Sequence, residues 1–414
     1  MLISAISFGI CFVVDIFFAI APSLIEQLDV SRGTVGAFYT MYAIAAIFSV
    51  FIAGIVTDRL GCVKAGLIFL GIALAGSGII AVSKNLVPLF IGRFIFGTGA
   101  ESMLVVNMAI ISLWFKTRMT AVAMAIYISA GRVGTLFSFN TGELIVAHFG
   151  GFRYALVAAF IICCFAFLCF LFYIAVNRQG GRKFNIETES QGNRIALRDI
   201  KSFPFQFWCI SFICVCFYSA IFPFTALSTD LFVDKWEIIR FSQFAGGFFQ
   251  KTLNNILHIF TTAGGITSII TVCSIVLTPL FGLIVDKIGK RVTFMLLGSM
   301  LLIPGHLLLG YSGIYPAFPM LILGLAFVLL PAALWPSIVL VTKKGRIGTA
   351  MGTVFAIQNI GIGLFAFLNG LLRDMTDSYK ASLTMFAVLG MFSLICVLLL
   401  KRFELRTGNT LEMP

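Results

Sequence analysis

Long apolar runs, broken by charges, glycine or proline, dominate this chain. Twelve of them fall at 3–25, 34–57, 65–83, 86–113, 119–143, 153–176, 204–226, 263–285, 292–311, 317–341, 347–371 and 382–400. A helix needs about 20 apolar residues to cross a bilayer core of roughly 30 Å. The pattern therefore predicts an all-α polytopic membrane protein with twelve transmembrane helices. The longest polar stretch, 177–203, carries Arg178, Arg182, Lys183, Glu187, Glu189, Arg194, Arg198, Asp199 and Lys201. It reads as a linker between two six-helix bundles, 1–176 and 204–402, with a tail at 403–414. The segment 227–262 mixes phenylalanines with Asp230, Asp234, Lys235, Glu237, Arg240, Lys251 and His258. It is long for a loop, and an amphipathic interfacial helix is expected within it. The first run has Asp15 in its middle and no basic n-region, so it reads as a membrane helix and not as a removed leader.

Composition agrees. The chain of 414 residues is 60% hydrophobic and 11% charged, whereas soluble domains average about 45–50% apolar and about 25% charged. Such a chain cannot cover a water-soluble globule, which excludes soluble enzymes, nucleic-acid binders and disordered scaffolds. The net charge of +12 is a matter of sidedness. Of the 29 Lys and Arg, 19 fall on the face that holds both chain ends and the linker, 8 fall on the other, and Arg93 and Arg132 lie within spans. The positive-inside rule places the 19-residue face, and both termini, in the cytoplasm. None of the 10 cysteines forms a metal-type CxxC pair, and His148, His258 and His306 are scattered. No cofactor or metal site is expected.

An octapeptide recurs. Residues 54–61 carry Gly54, Asp58, Arg59 and Gly61; residues 282–289 carry Gly282, Asp286, Lys287 and Gly289 at the same spacing. Each copy follows the second span of its half, on the basic face. Glycine suits close helix approach and a tight turn. An acid followed by a base at the rim suits a latch that pairs across the seam or caps a neighbouring helix. Asp58, Arg59, Asp286 and Lys287 are thus the expected gating residues.

Two parallel six-helix repeats carrying this motif resemble the major facilitator transporters. Within them the chain is similar to the lysosomal dipeptide transporter family. The similarity rests on Gly92 to Gly97 running into Glu101-Ser102, on Trp114-Phe115-Lys116, on Arg132-Val133-Gly134, on Cys214 to Phe224, on Ala333-Leu334-Trp335-Pro336, and on Gly348-Thr349-Ala350 leading to Ile357-Gln358-Asn359. The drug/proton antiporter pattern of the fifth helix and the ExxER motif of proton-coupled peptide transporters are absent from their helices. The resemblance implies passive dipeptide transport, a lysosomal or other endomembrane address with the plasma membrane as the alternative, and a glycosylated single-pass accessory subunit.

Charges at membrane depth cost about 2.5–3.5 kcal/mol each on insertion scales and are functional candidates by default. Asp15, Glu101 and Arg132, counted from the basic-face ends of their helices, share a level roughly 18–20 Å deep at about 1.5 Å per residue. A zwitterionic peptide needs an acceptor for its ammonium and a fork for its carboxylate. Glu101 suits the first and Arg132 the second. All three positions also match residues of the family motif. Tyr42, Tyr218, Trp335, Gln358 and Asn359 are expected as cavity lining, and Arg93 and Glu143 as snorkelling or helix-pairing charges. Alternatives stay open: a structural Glu101–Arg132 ion pair, a proton-coupled carrier of organic anions or amino acids, and a receptor or scaffold that does not transport.

Overall fold

The computed structural model describes residues 1–115, 120–184, 203–241, 247–342, 346–407 and 411–413. Lys116, Arg118, Lys343, Lys344 and most of the expected linker lie outside the described residues. Thirteen helices are described: α1 (Leu2–Ala19), α2 (Ala21–Leu28), α3 (Arg32–Val82), α4 (Leu86–Trp114), α5 (Thr120–Phe149), α6 (Phe152–Phe184), α7 (Phe205–Trp236), α8 (Phe248–Leu257), α9 (Ala263–Ile288), α10 (Arg291–Tyr311), α11 (Ala317–Val341), α12 (Ile347–Thr376) and α13 (Lys380–Thr407).

Among the described residues, ten helices are long and apolar enough to cross a membrane. One of them, α3, has 51 residues, about 77 Å at roughly 1.5 Å per residue, more than twice a bilayer core. It bends at Gly61, whose φ of 77° and ψ of 159° are non-helical. The two spans expected at 34–57 and 65–83 are its two arms. With α3 counted twice and the 30-residue α5 added, the fold agrees with the twelve expected spans. Gly61 closes the first octapeptide. Gly289, which closes the second, also has positive φ (71°) and is followed by left-handed Lys290. Both copies thus end in the tight turn that their glycines permit.

Two boundaries differ from the sequence pattern. The first run breaks at Ile20, where Pro22 occupies the first turn of α2; proline fits a helix start and cannot continue one. The seventh span, expected to stop at 226, runs to Trp236. Asp230 and Asp234 made 227–236 look like a loop, yet both acids meet arginines there (Arg32 and Arg373). The remaining part of 227–262 holds the expected amphipathic helix, α8. Its Thr252 and Asn255 are buried, the Asn255 amide donating to the Asn140 carbonyl at 3.0 Å. Its Phe249, Leu253 and Leu257 point outward.

Helices α1 and α3–α6 pack on one another, as do α7 and α9–α13. The two groups meet along a seam where α3 touches α12, α5 touches α9 and α1 touches α7. The face of the Gly61 and Gly289 turns is called here the basic face, and the face of the α2–α3 and α12–α13 connections the opposite face. On the basic face the end of the chain folds back. The Leu411 and Glu412 carbonyls each accept a backbone N–H at the start of α10 at 3.1 Å, from Arg291 and Lys290. Met413 accepts from the Arg291 guanidinium at 2.6 Å, so the tail satisfies N–H groups that a helix start leaves unpaired.

Candidate functional site

The three charges expected at mid-depth come from α1, α4 and α5, and Arg132 reaches across the seam to the second helix group. Asp15 accepts from the Thr135 hydroxyl at 2.6 Å. Glu101 accepts from the Tyr42 hydroxyl at 2.5 Å. The Arg132 guanidinium lies 4.9 Å from the centre of the Phe327 ring on α11. Tyr39 and Cys11 each lie within electrostatic reach of Asp15, Glu101 and Arg132 together, which places the three around one space. Among the described residues Glu101 and Arg132 form no ion pair, and neither does Asp15. Each charge therefore keeps capacity to bind something else. A cation–π contact at a half-buried site is worth about 1–2 kcal/mol, which holds Arg132 without spending its N–H donors.

The second helix group supplies an aromatic wall. Trp335 donates from Nε1 to the Tyr218 hydroxyl at 2.9 Å and stacks on Phe355 at 4.9 Å. Tyr218 meets the Phe327 ring edge-on. Gln358 accepts from Cys214 at 3.4 Å, and Asn359 donates to the Phe355 carbonyl of its own helix at 3.0 Å. Tyr42 thus joins Glu101, and Tyr218 and Trp335 join Arg132 through Phe327. Gln358 and Asn359 are buried near this wall but make no contact with the three charges.

Arg93 does not snorkel. It is 0% exposed, donates to the Val13 and Val14 carbonyls of α1 at 3.4 and 2.9 Å, and lies 4.6 Å from the centre of the Phe17 ring. It pairs helices, as does Glu143, which accepts from the Ser23 hydroxyl at 2.6 Å and the Ser23 N–H at 3.2 Å. The latter contact puts negative charge at the start of α2, where a helix favours it. Sequence reasoning missed Thr135, Phe327 and Phe355. A lone threonine carries no signal, and nothing local separates two phenylalanines from the other 43 of the chain's 45.

The two ends of the seam differ. On the opposite face, Arg32 of α3 donates from Nε to Asp230 of α7 at 2.6 Å, and Tyr379 donates to the same carboxylate. Asp374 of α12 accepts the Arg32 and Gly33 N–H groups at 3.0 and 2.7 Å. Backbones nearly touch there. A Cβ on Gly36 would lie 2.2 Å from the Ala366 carbonyl oxygen, and one on Gly264 would lie 1.9 Å from that of Phe139. On the basic face, Asp58, Arg59, Asp286 and Lys287 are exposed and have no partner among the described residues. Nothing lies within 4 Å of a Cβ on Gly282. The seam is sealed at the opposite face; toward the basic face Phe51 of α3 still lies against Gly352 of α12, but among the described residues the expected Asp58 and Asp286 latch contacts are not made in this conformation.

One sealing contact titrates outside the membrane spans. Arg240 donates to Glu26 of α2 and, through that hydrogen bond, holds the Glu26 carboxyl below the usual carboxylate range. A lowered carboxyl contributes fully above the ordinary Glu pKa of about 4.3 and loses its contribution as pH falls through the lowered value. The pair should therefore stay intact between pH 7 and 5. Glu26 is 59% exposed, so Glu26→Gln should cost under about 1 kcal/mol of closure. A pH titration of the distance across the opposite face checks this; a transition above pH 5 that Glu26→Gln removes would contradict it.

A helical protein with two groups of apolar spans, unpaired charges amid them and a seam sealed at one face is built as a polytopic membrane carrier. The chain belongs to the Major Facilitator Superfamily, whose family model matches residues 3–249. It is similar to the lysosomal dipeptide transporter MFSD1 of Gallus gallus, at 28% identity over 98% of this chain and 85% of that protein. It is also similar to the MFSD1 of Homo sapiens, at 27% identity over 100% and 87%. Among solved structures it is similar to a mutant of the nucleoside transporter NupG (TM-score 0.73, 16% identity, 96% and 98% covered) and to a mutant of the peptide transporter POT (TM-score 0.73, 13% identity, 99% and 95% covered). At such identities the two structures speak for the fold alone.

Proposed function

We propose that the protein is a facilitator that moves dipeptides across a membrane by alternating access. One observation carries the reading: Glu101 and Arg132 carry opposite charge in one neighbourhood, both near Tyr39 and Cys11, and among the described residues neither spends its charge on the other. A zwitterion with an ammonium at one end and a carboxylate at the other satisfies both at once. Asp15, Tyr42, Tyr218, Trp335, Gln358 and Asn359 complete the proposed binding site. Similarity over nearly the whole chain to transporters named for dipeptides and lysosomes supports the substrate and a lysosomal address. The excess of Lys and Arg on the basic face supports placing that face and both termini in the cytoplasm. The bundles 1–176 and 204–402 are the proposed rocking units, 177–203 their linker and 403–414 the tail. A glycosylated single-pass subunit is proposed as partner.

Counterflow in proteoliposomes tests this with free dipeptides, end-blocked dipeptides, single amino acids and monocarboxylates. Free dipeptides should exchange, and acetylated or amidated ones should fail to compete at the same concentrations. Exchange of monocarboxylates without dipeptides would favour an organic-anion carrier, and no exchange of any of them a receptor or scaffold. Transport should also follow the substrate gradient. Dipeptide accumulation against its gradient that a protonophore collapses would replace the facilitator with a proton-coupled carrier.

The proposed gate makes a further prediction. Asp58 and Asp286 bias a two-state equilibrium through contacts made only when the basic face closes. Asp58→Asn and Asp286→Asn should each raise labelling of Ser129→Cys from the basic side and slow turnover, with little change in substrate affinity. A contact of this kind is worth about 0.3–1 kcal/mol at a helix end, hence a change of a few-fold. Unchanged labelling with normal transport in both variants would reduce the motifs to ordinary polar turns.

A further inference from the structure

We infer that Phe327 positions Arg132 for the substrate carboxylate and forms the surface that the side chain beside that carboxylate meets. The inference rests on the dipeptide reading above. Arg132 belongs to α5 of the first helix group and Phe327 to α11 of the second, so the contact spans the seam. Among the described residues the Phe327 ring, 4.9 Å from the guanidinium carbon, is the partner of Arg132, which makes no hydrogen bond or ion pair there. A ring face attracts a cation but accepts none of its N–H bonds in the way an oxygen does. The guanidinium is held in place with its donors unspent. An arriving carboxylate takes two of them in a fork and displaces no protein acceptor.

Phe327 is itself held. It is 4% exposed and lies parallel to Phe217 at 6.3 Å and 9°. Phe222 meets it edge-on at 5.8 Å and 79°, and Tyr218 at 6.3 Å and 88°. These are the offset and edge-to-face arrangements that aromatic pairs favour. Such a ring cannot tilt away without disturbing three neighbours. A carboxylate forked to Arg132 brings the side chain on its own α-carbon against Phe327, Phe222 and Tyr218. Apolar and aromatic C-terminal side chains gain ring contact there. An acidic one meets the negative faces of the rings, while Arg132 is already engaged.

Counterflow competition with Ala-Phe, Ala-Ala and Ala-Asp tests the inference on the full chain and on Phe327→Ala and Phe327→Trp. Ala-Phe should compete about tenfold better than Ala-Asp on the unaltered protein. Phe327→Ala should weaken all three by about tenfold, abolish the advantage of Ala-Phe over Ala-Ala, and keep the saturated rate. Phe327→Trp should restore affinity, because its larger ring still faces a cation. Unchanged affinity and ranking in Phe327→Ala would overturn the inference. A lowered saturated rate at unchanged affinity in both variants would do the same, by reducing Phe327 to packing. Dipeptides that compete without regard to the C-terminal side chain would overturn this inference alone; no competition by any dipeptide would overturn the dipeptide reading with it.

Discussion

Gly370→Val should hold the opposite face open and stop transport. Gly370 of α12 packs against the start of α3, where a Cβ would lie 2.2 Å from the Arg32 carbonyl oxygen and 2.6 Å from the Gly33 Cα. Both are backbone atoms and neither can rotate aside, so the two helices must separate. Separation breaks the Asp374 bonds to the Arg32 and Gly33 N–H groups, at 3.0 and 2.7 Å. Bonds to a charged group are worth about 1.5–3 kcal/mol each. A loss near 3 kcal/mol moves a two-state ratio roughly a hundredfold. The measurement is the distance between spin labels at Lys84→Cys and Met375→Cys, exposed positions of the two helix groups on that face, made after replacing accessible native cysteines. The distance should lengthen in the variant, and uptake should fall in parallel. Gly282→Ala, at a position where a Cβ meets nothing within 4 Å, should leave that distance unchanged. A short distance and normal uptake in Gly370→Val would show that this seam does not move during transport.

Glu101→Gln and Arg132→Lys should each lose about tenfold or more in dipeptide affinity, since a charged hydrogen bond contributes roughly 1.5–3 kcal/mol. Glutamine keeps the shape of Glu101 and its bond from Tyr42, yet offers the ammonium no charge. Lysine keeps the charge of Arg132 but loses the planar fork that holds a carboxylate by two parallel bonds. The two losses should differ by substrate. Glu101→Gln should matter little for an N-acetylated dipeptide, and Arg132→Lys little for a dipeptide amide. Such end-blocked peptides bind weakly, so the comparison is made by competition at high concentration. Equal losses for free and blocked peptides would mean that the two side chains shape the cavity without reading the substrate's ends.

Which helices exist was legible in the sequence because the bilayer imposes a length. Apolar runs of about 20 residues have few other uses, and ten of the twelve expected spans match the helices described with end shifts of up to about eight residues, while the first is broken at Ile20. The seventh was misjudged by ten residues. Asp230 and Asp234 carry charge that local reasoning assigns to water, and the arginines that neutralise them come from α3 and α12, far along the chain. Asp15, Glu101 and Arg132 were legible for a related reason: a charge amid apolar residues is costly enough to mark itself.

What the chain by itself determined is thus the set of spans, the repeated turns at Gly61 and Gly289, and the place of the three central charges within their apolar runs. Each follows from a property of a single residue or of a short run: its hydropathy, its charge, its freedom to take positive φ. Tertiary structure alone decided which charges pair and which stay free. Glu101 turned to Tyr42, and Arg132 to Phe327 across the seam. Arg93 went wholly inside onto the carbonyls of α1. It alone decided, too, that the opposite face is sealed while Asp58 and Asp286 are exposed and, among the described residues, unpartnered. Both arrangements of the seam use the same helices with the same apolar patterns. The difference lies in a few contacts between residues far apart in sequence, and neither composition nor periodicity encodes them.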